Sequence, residues 1–197
     1  MSEVREVTVM FTDIAGFTSL SEGMPATELA SLLNDHFAVL SACIEAEDGT
    51  VDKFIGDSVM AFWGAPDAQP DHAERAARAA RAISDAIDAD NRQRVANGLA
   101  PIGVRIGLHS GSVTVGNIGA PDRINYTIIG DTVNVGQRLE QLAKDVKKQD
   151  VSSISVTVVA SRAIVDQLKA PESWTSLGMH HLRGRGEEIE VFHMKSL

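Results

Sequence analysis

Residues 52–64 read DKFIGDSVMAFWG. Two short apolar runs, residues 50–55 and 58–62, flank Gly56 and Asp57, and both Gly and Asp tolerate the positive φ angles of a tight turn. The stretch therefore predicts a β-hairpin. Upstream, residues 4–13 are rich in Val, Thr, Met and Phe and have the length of one strand, ending at DIAGFTSLS. Between strand and hairpin, Leu29, Leu32, Leu33, Phe37, Leu40 and Ile44 recur near helical spacing until Asp48-Gly49, which predicts a long amphipathic helix over 25–47.

Downstream of the hairpin, residues 71–95 are Ala-rich and predict a second helix, with Arg75, Arg78 and Arg81 on a solvated stripe. Residues 102–109 and 112–118 predict a strand pair interrupted by Gly107, Gly111 and Gly116, and residues 125–129 extend the apolar pattern. Asp131 offers an N-cap to a helix carrying Val133, Val135, Leu139 and Leu142. The lysine-rich KDVKKQDVSS, residues 144–153, reads as a solvated loop. It is followed by strand-like ISVTVVAS, a short helix over 162–168, and a terminal strand pair, 174–182 and 188–194, joined by RGRGEE. The order βαββαβ predicts an α+β fold: a ferredoxin-like core with a mainly antiparallel sheet, flanking helices and C-terminal strand additions, forming a single domain over residues 1–197.

With 197 residues, 44% apolar and 23% charged, the chain can bury a sizeable core. A formal charge of −9 argues against a nucleic-acid partner or direct contact with an anionic membrane, since both need clustered Lys and Arg. No run approaches the roughly eighteen apolar residues of a membrane span, and the N-terminus lacks signal-peptide order. The lone Cys43 fits a reducing compartment. The expectation from these features is a cytoplasmic chain.

Asp13 closes the first strand and Asp57 tops the hairpin, and in a ferredoxin-like sheet those two elements lie side by side. Paired carboxylates on rigid strands suit Mg²⁺ or Mn²⁺; two unrelated turn-capping aspartates are the alternative. The IAGFTS segment offers backbone N–H groups around Gly16 that suit phosphate oxygens. Asn134 and Arg138, at i and i+4, project from one helix face, toward a common ligand or as a surface pair. No phosphate-binding Gly-x4-Gly-Lys loop, no Gly-x-Ser-x-Gly elbow and no zinc spacing occurs, and His109 reads as a packed strand residue.

Four segments, VTVMFTDIAGFTSLSE, VDKFIGDSVMAFWGAP, VRIGLHSGSVTVGNIG and INYTIIGDTVNVGQRLE, together resemble the catalytic domain of class III adenylyl and guanylyl cyclases over nearly the whole chain. The resemblance implies that Asp13 and Asp57, with Ile14 beside them, hold two divalent cations, Mg²⁺ or Mn²⁺. It implies that Gly16, Phe17, Thr18 and Arg105 contact the triphosphate and that Lys53 and Thr127 read the purine. It assigns Asn134 to ribose orientation and Arg138 to the charge on the α-phosphate in the transition state. Arg183 stands where the family usually has a phosphate-binding lysine, and Arg185 is its alternative.

The Lys and Thr pair resembles the class IIIb subgroup, in which conversion of ATP to cyclic AMP and stimulation by bicarbonate are common. The family also implies a head-to-tail homodimer, with the metal aspartates of one protomer facing Lys53, Thr127, Asn134 and Arg138 of the other. Two alternatives stay open: a guanylyl cyclase, or a catalytically silent regulatory domain. Against the second, Asp13, Asp57, Lys53, Asn134 and Arg138 are all present. A diguanylate cyclase would need a Gly-Gly-[Asp/Glu]-Glu-Phe motif that this chain lacks.

Overall fold

The computed structural model of the chain describes residues 2–147, 156–182, 184 and 186–195. The first strand, β1 (Ser2–Ile14), leads through a short α1 (Phe17–Glu22) into α2 (Ala26–Glu45), then the hairpin β2 (Thr50–Ile55) and β3 (Ser58–Trp63), and α3 (His72–Ala96). There follow β4 (Val104–Ala120), β5 (Arg123–Ile129), α4 (Asp131–Lys147), β6 (Val156–Ser161), α5 (Arg162–Val165), and the final strands β7 (Trp174–His181) and β8 (Glu188–Met194). The sheet runs β2-β3-β1-β4-β6-β8-β7, with β5 paired to β4. Its first four strands have the ferredoxin-like order, and β4–β6 is parallel while every other pairing is antiparallel. The hairpin turns at Gly56, whose φ of 61° lies in the left-handed region that glycine enters without a Cβ penalty.

From Val7 onward, strand β1 is buried on both faces. Met10 and Ile14 join Leu40, Ile44, Trp63, Ile83 and Ile106 in the core beneath α2 and α3, while Val7, Val9 and Phe11 face the other way with Met60, Phe62, Val113 and Ile128. The alternation is that of a strand sandwiched between layers. Helix α3 lies close on the sheet because its inward face carries Ala73, Ala76, Ala79 and Ala80. Its arginines point outward as expected: Arg75 pairs with Asp71 and Asp48, and Arg78 with Glu47.

One expectation is corrected. Residues 104–120 form a single continuous strand, not a pair interrupted by glycines. Gly107 and Gly111 mark where α4 crosses the sheet. A Cβ on Gly107 would lie 2.3 Å from the Glu140 backbone nitrogen and 2.5 Å from the Gly136 carbonyl oxygen, and one on Gly111 would meet Thr132 Oγ1 at 2.6 Å. Glycine is needed here for close backbone approach. The segment 144–153 is also partly reassigned, since Lys144 to Lys147 complete α4; its remaining residues lie outside those described. Among the described residues no helix is long and apolar enough to cross a membrane.

Gly107→Ala is expected to lower unfolding free energy by roughly 1–3 kcal/mol, since the methyl group meets backbone that cannot swing aside. Urea denaturation followed by circular dichroism measures it, and a loss below about 0.5 kcal/mol would mean that α4 does not press on β4 as described.

Candidate active site

The register of the central strands brings the two predicted carboxylates together. β1 pairs β3 with Thr12 opposite Val59, which places Asp13 beside the hairpin turn that carries Asp57. Ser58 Oγ donates to Asp13 Oδ1 at 3.1 Å, and the backbone N–H of Ile14 donates to Asp57 Oδ2 at 2.9 Å. Burial, followed by the hydrogen bond and the charge of Asp13, raises the Asp57 pKa from 3.8 to about 6, while the Ile14 amide pulls the other way.

A cation already balances this pair. Arg105 stands directly opposite Asp13 across β1 and β4, and its Nη2 donates to Asp13 Oδ2, while its Nε donates to Glu140 Oε1 of α4 at 2.9 Å. Burial pushes the Glu140 carboxyl up and the Arg105 guanidinium opposes that shift. Sequence reasoning missed Ser58 and Glu140; their only signal was position, one residue after Asp57 and two after Arg138. Just beyond β1, Gly16 has φ 71° and precedes α1, so the first-turn amides of Phe17 and Thr18 have no acceptor inside the helix. The aspartate pair is a hard-oxygen donor set suited to Mg²⁺ or Mn²⁺ completed by water and phosphate oxygens, so the residues fit the implied ions. Among the described residues no cluster of three or more carboxylate, His or Cys ligands forms.

Lys53 and Thr127 meet elsewhere, in a cavity of about 360 Å³ with largely apolar walls that include Phe11, Met60, Ile118 and Val133. Lys53 Nζ lies 3.5 Å from Thr127 Oγ1. Thr127 is buried and its hydroxyl donates to Asp52 Oδ2, a contact the sequence reading did not foresee. Gln137 of α4 closes one side. Asn134 and Arg138 sit on the same helix, exposed and half-buried respectively. The turn between β7 and β8 approaches Arg138: a Cβ on Gly184, φ 80°, would lie 3.3 Å from Arg138 Nη2. Arg183 and Arg185, predicted to serve the phosphates, lie outside the described residues.

Comparison with known proteins gives the family. Residues 1–195 match the family model for the adenylate and guanylate cyclase catalytic domain. The chain belongs to that family. It is 40% identical over 190 residues to Adenylate cyclase 1 of Rhizobium meliloti (strain 1021), covering 96% of this chain and 27% of that protein. It is 32% identical over 202 residues to Adenylate cyclase of Anabaena cylindrica, covering 99% of this chain and 38% of that one. The chain thus spans well under half the length of these relatives.

Among solved cyclase structures, the adenylyl cyclase CyaB from P. aeruginosa superposes with a TM-score of 0.87 at 30% identity, over 100% of this chain and 97% of that one. The guanylyl cyclase Cya2 gives a TM-score of 0.84 at 28% identity, over 100% and 94%. The cyclase fold is therefore common to proteins named for either nucleotide.

In metal-free protein the Asp57 carboxyl is expected to titrate near pH 6, and Asp13→Asn to lower that midpoint. The folded protein holds this proton to about pH 6, whereas an unfolded aspartate releases it near 3.8. The group's contribution to stability is thus full below the lower value and lost as pH rises through the upper. Carboxyl ¹³C shifts in a pH titration read the midpoint; an Asp57 midpoint below about 4.5 would refute the pairing.

Proposed function

We propose that this domain is an adenylyl cyclase that converts ATP to 3′,5′-cyclic AMP and pyrophosphate at sites shared between two head-to-tail copies of the chain. The observation that carries the substrate choice is the convergence of Lys53 and Thr127 in one cavity with mostly apolar walls. An ammonium is only a donor, so Lys53 suits N1 of adenine, an acceptor, and not N1 of guanine, which bears a hydrogen. The names of the two relatives support the same choice.

In the reaction the ribose 3′-oxygen bonds to the α-phosphorus while the bond from that phosphorus to the bridging oxygen of pyrophosphate breaks, and the hydroxyl proton is released. Asp13 and Asp57, with Ile14 beside them, would hold two divalent ions, Mg²⁺ or Mn²⁺, which supply Lewis-acid activation of the hydroxyl and neutralise phosphate charge when bound. Asn134 orients the ribose by hydrogen bonding, and Arg138 stabilises the charge that develops on the α-phosphate oxygens. Gly16, Phe17 and Thr18 offer backbone donors to the triphosphate, joined by Arg105, with Arg183 or Arg185 supplying further charge.

Exposed apolar side chains support the dimer. Phe54 and Ile55 on the hairpin, each 49% exposed, and Ile124 and Ile129 on β5, at 56% and 50%, are costly to leave in water and suit a partner surface. Regulation by bicarbonate belongs to the same proposal and is read by adding it at fixed pH.

Cyclic nucleotide formed from ATP and, separately, from GTP tests the assignment. The expected result is cyclic AMP as the preferred product, with specific activity rising as the protein dimerises; faster turnover of GTP would overturn the reading of Lys53. Asn134→Ala and Arg138→Ala should each lower kcat by roughly 10²–10³-fold while circular dichroism stays native. A folded variant with unchanged kcat would remove that residue from the chemistry.

A further inference from the structure

The bulge in β2 aims a carboxylate into the base-reading pair. Val51 stands opposite Ala61 and Lys53 opposite Met60, so Asp52 is the extra residue on its strand. In a regular strand, neighbours 52 and 53 would project to opposite faces. The bulge re-aims one of them. Both then reach Thr127: its hydroxyl donates to Asp52 Oδ2, and Lys53 Nζ lies 3.4 Å from Asp52 Oδ1 and 3.5 Å from Thr127 Oγ1. The Asp52 side chain is only 1% exposed, although Lys53 beside it is 42% exposed. Asp52 Oδ1 has no hydrogen-bond partner, which leaves the threonine hydroxyl as the one hydrogen bond the buried carboxylate receives from a described side chain.

We infer that Asp52 is a positioning residue for base selection: it takes the single hydroxyl proton of Thr127 and so leaves the threonine oxygen able only to accept from the purine. This rests on the assignment of Lys53 and Thr127 to the base. A threonine hydroxyl carries one hydrogen and two lone pairs, and unconstrained it donates or accepts as its partner requires. Such a group cannot separate adenine, whose position 6 bears a donor amino group, from guanine, whose position 6 bears an acceptor oxygen. A carboxylate only accepts. With the proton committed to Asp52, an amino group at position 6 is matched and an oxygen there meets lone pair against lone pair. Lys53 discriminates at N1, so the two tests act on different atoms of the base.

The experiment isolates position 6. ATP, N6-methyl-ATP and 6-methoxypurine riboside triphosphate all present an acceptor at N1; the first two have a donor at position 6 and the third only an acceptor, with the methyl group matched in the last two. Initial rates are measured for wild type, Asp52→Asn, Thr127→Val and the double variant. Asparagine is isosteric but its amide can donate to Thr127, freeing the hydroxyl to turn.

The expected result is that Asp52→Asn reduces the preference for N6-methyl-ATP over the methoxy compound by roughly tenfold, and that it has no further effect on that ratio once Thr127 is valine. A fall in all rates in proportion, or the same ratio change in the Thr127→Val background, would reduce Asp52 to a structural residue and overturn the inference. Should Asp52→Asn not fold, the wild type decides: it must disfavour the methoxy compound relative to N6-methyl-ATP by roughly tenfold, and equal rates overturn the inference. Wild-type preference for GTP over ATP would sink the adenylyl assignment, while the methoxy ratio still reports on Asp52. If no variant turns over, displacement of a fluorescent ATP analogue by the same triphosphates supplies the ratios.

Discussion

Two carboxyl groups held against each other at the end of a buried strand repel once both are ionised, and much of this fold is arranged around that repulsion. β1 fixes Asp13 by pairing on both sides, with β3 bringing the Asp57 turn and β4 bringing Arg105. The Ile14 amide and the Ser58 hydroxyl supply local donors, and Arg105 supplies charge while tying the pair to Glu140 on α4. Burial first, and then the hydrogen bond and charge of Asp13, leave an Asp57 carboxyl that keeps its proton to about pH 6. A site that is uncomfortable without a cation is one that gains by binding one. The close seat of α4 on β4, made possible by glycine at 107 and 111, is what lets Glu140 reach Arg105 and sets Asn134 and Arg138 on the same helix.

The hairpin does two separate jobs within a few residues. Its turn delivers Asp57 to the carboxylate pair, and its first strand delivers Lys53 to the cavity with Thr127. In the proposed dimer these belong to different active sites, which explains why charged side chains crowd a turn that Asn-Gly would close equally well. One short element then couples the geometry of both sites.

Much of this was legible in the sequence because the relevant signals were local. The hairpin follows from Gly56-Asp57 between apolar runs, the long helix from Leu29 to Ile44, and the meeting of Asp13 and Asp57 from a topology that sets the first strand beside the hairpin. What stayed hidden depended on distant partners. Gly107 and Gly111 look like strand breakers until Gly136, Glu140 and Thr132 are seen pressing on them. Asp52 should project away from Lys53 by simple alternation, and only the register slip opposite Ala61 and Met60 turns both toward Thr127. Glu140 carried no motif signal, because its role arises from a contact with a strand far away in sequence. The roles at Asn134 and Arg138 came from family resemblance, since helical spacing alone equally fits a surface pair.

In the proposed dimer, the carboxylate pair of one active site and the Arg138 that serves it come from different chains. The most direct measurement mixes two inactive variants, Asp57→Ala and Arg138→Ala, and follows cyclic AMP production while confirming mixed dimers by differential tagging. Each mixed dimer has one site with every contributor intact, so random pairing should restore roughly a quarter of wild-type specific activity. Demonstrated mixed dimers with no recovered activity would contradict a shared site and place the full catalytic set within one chain.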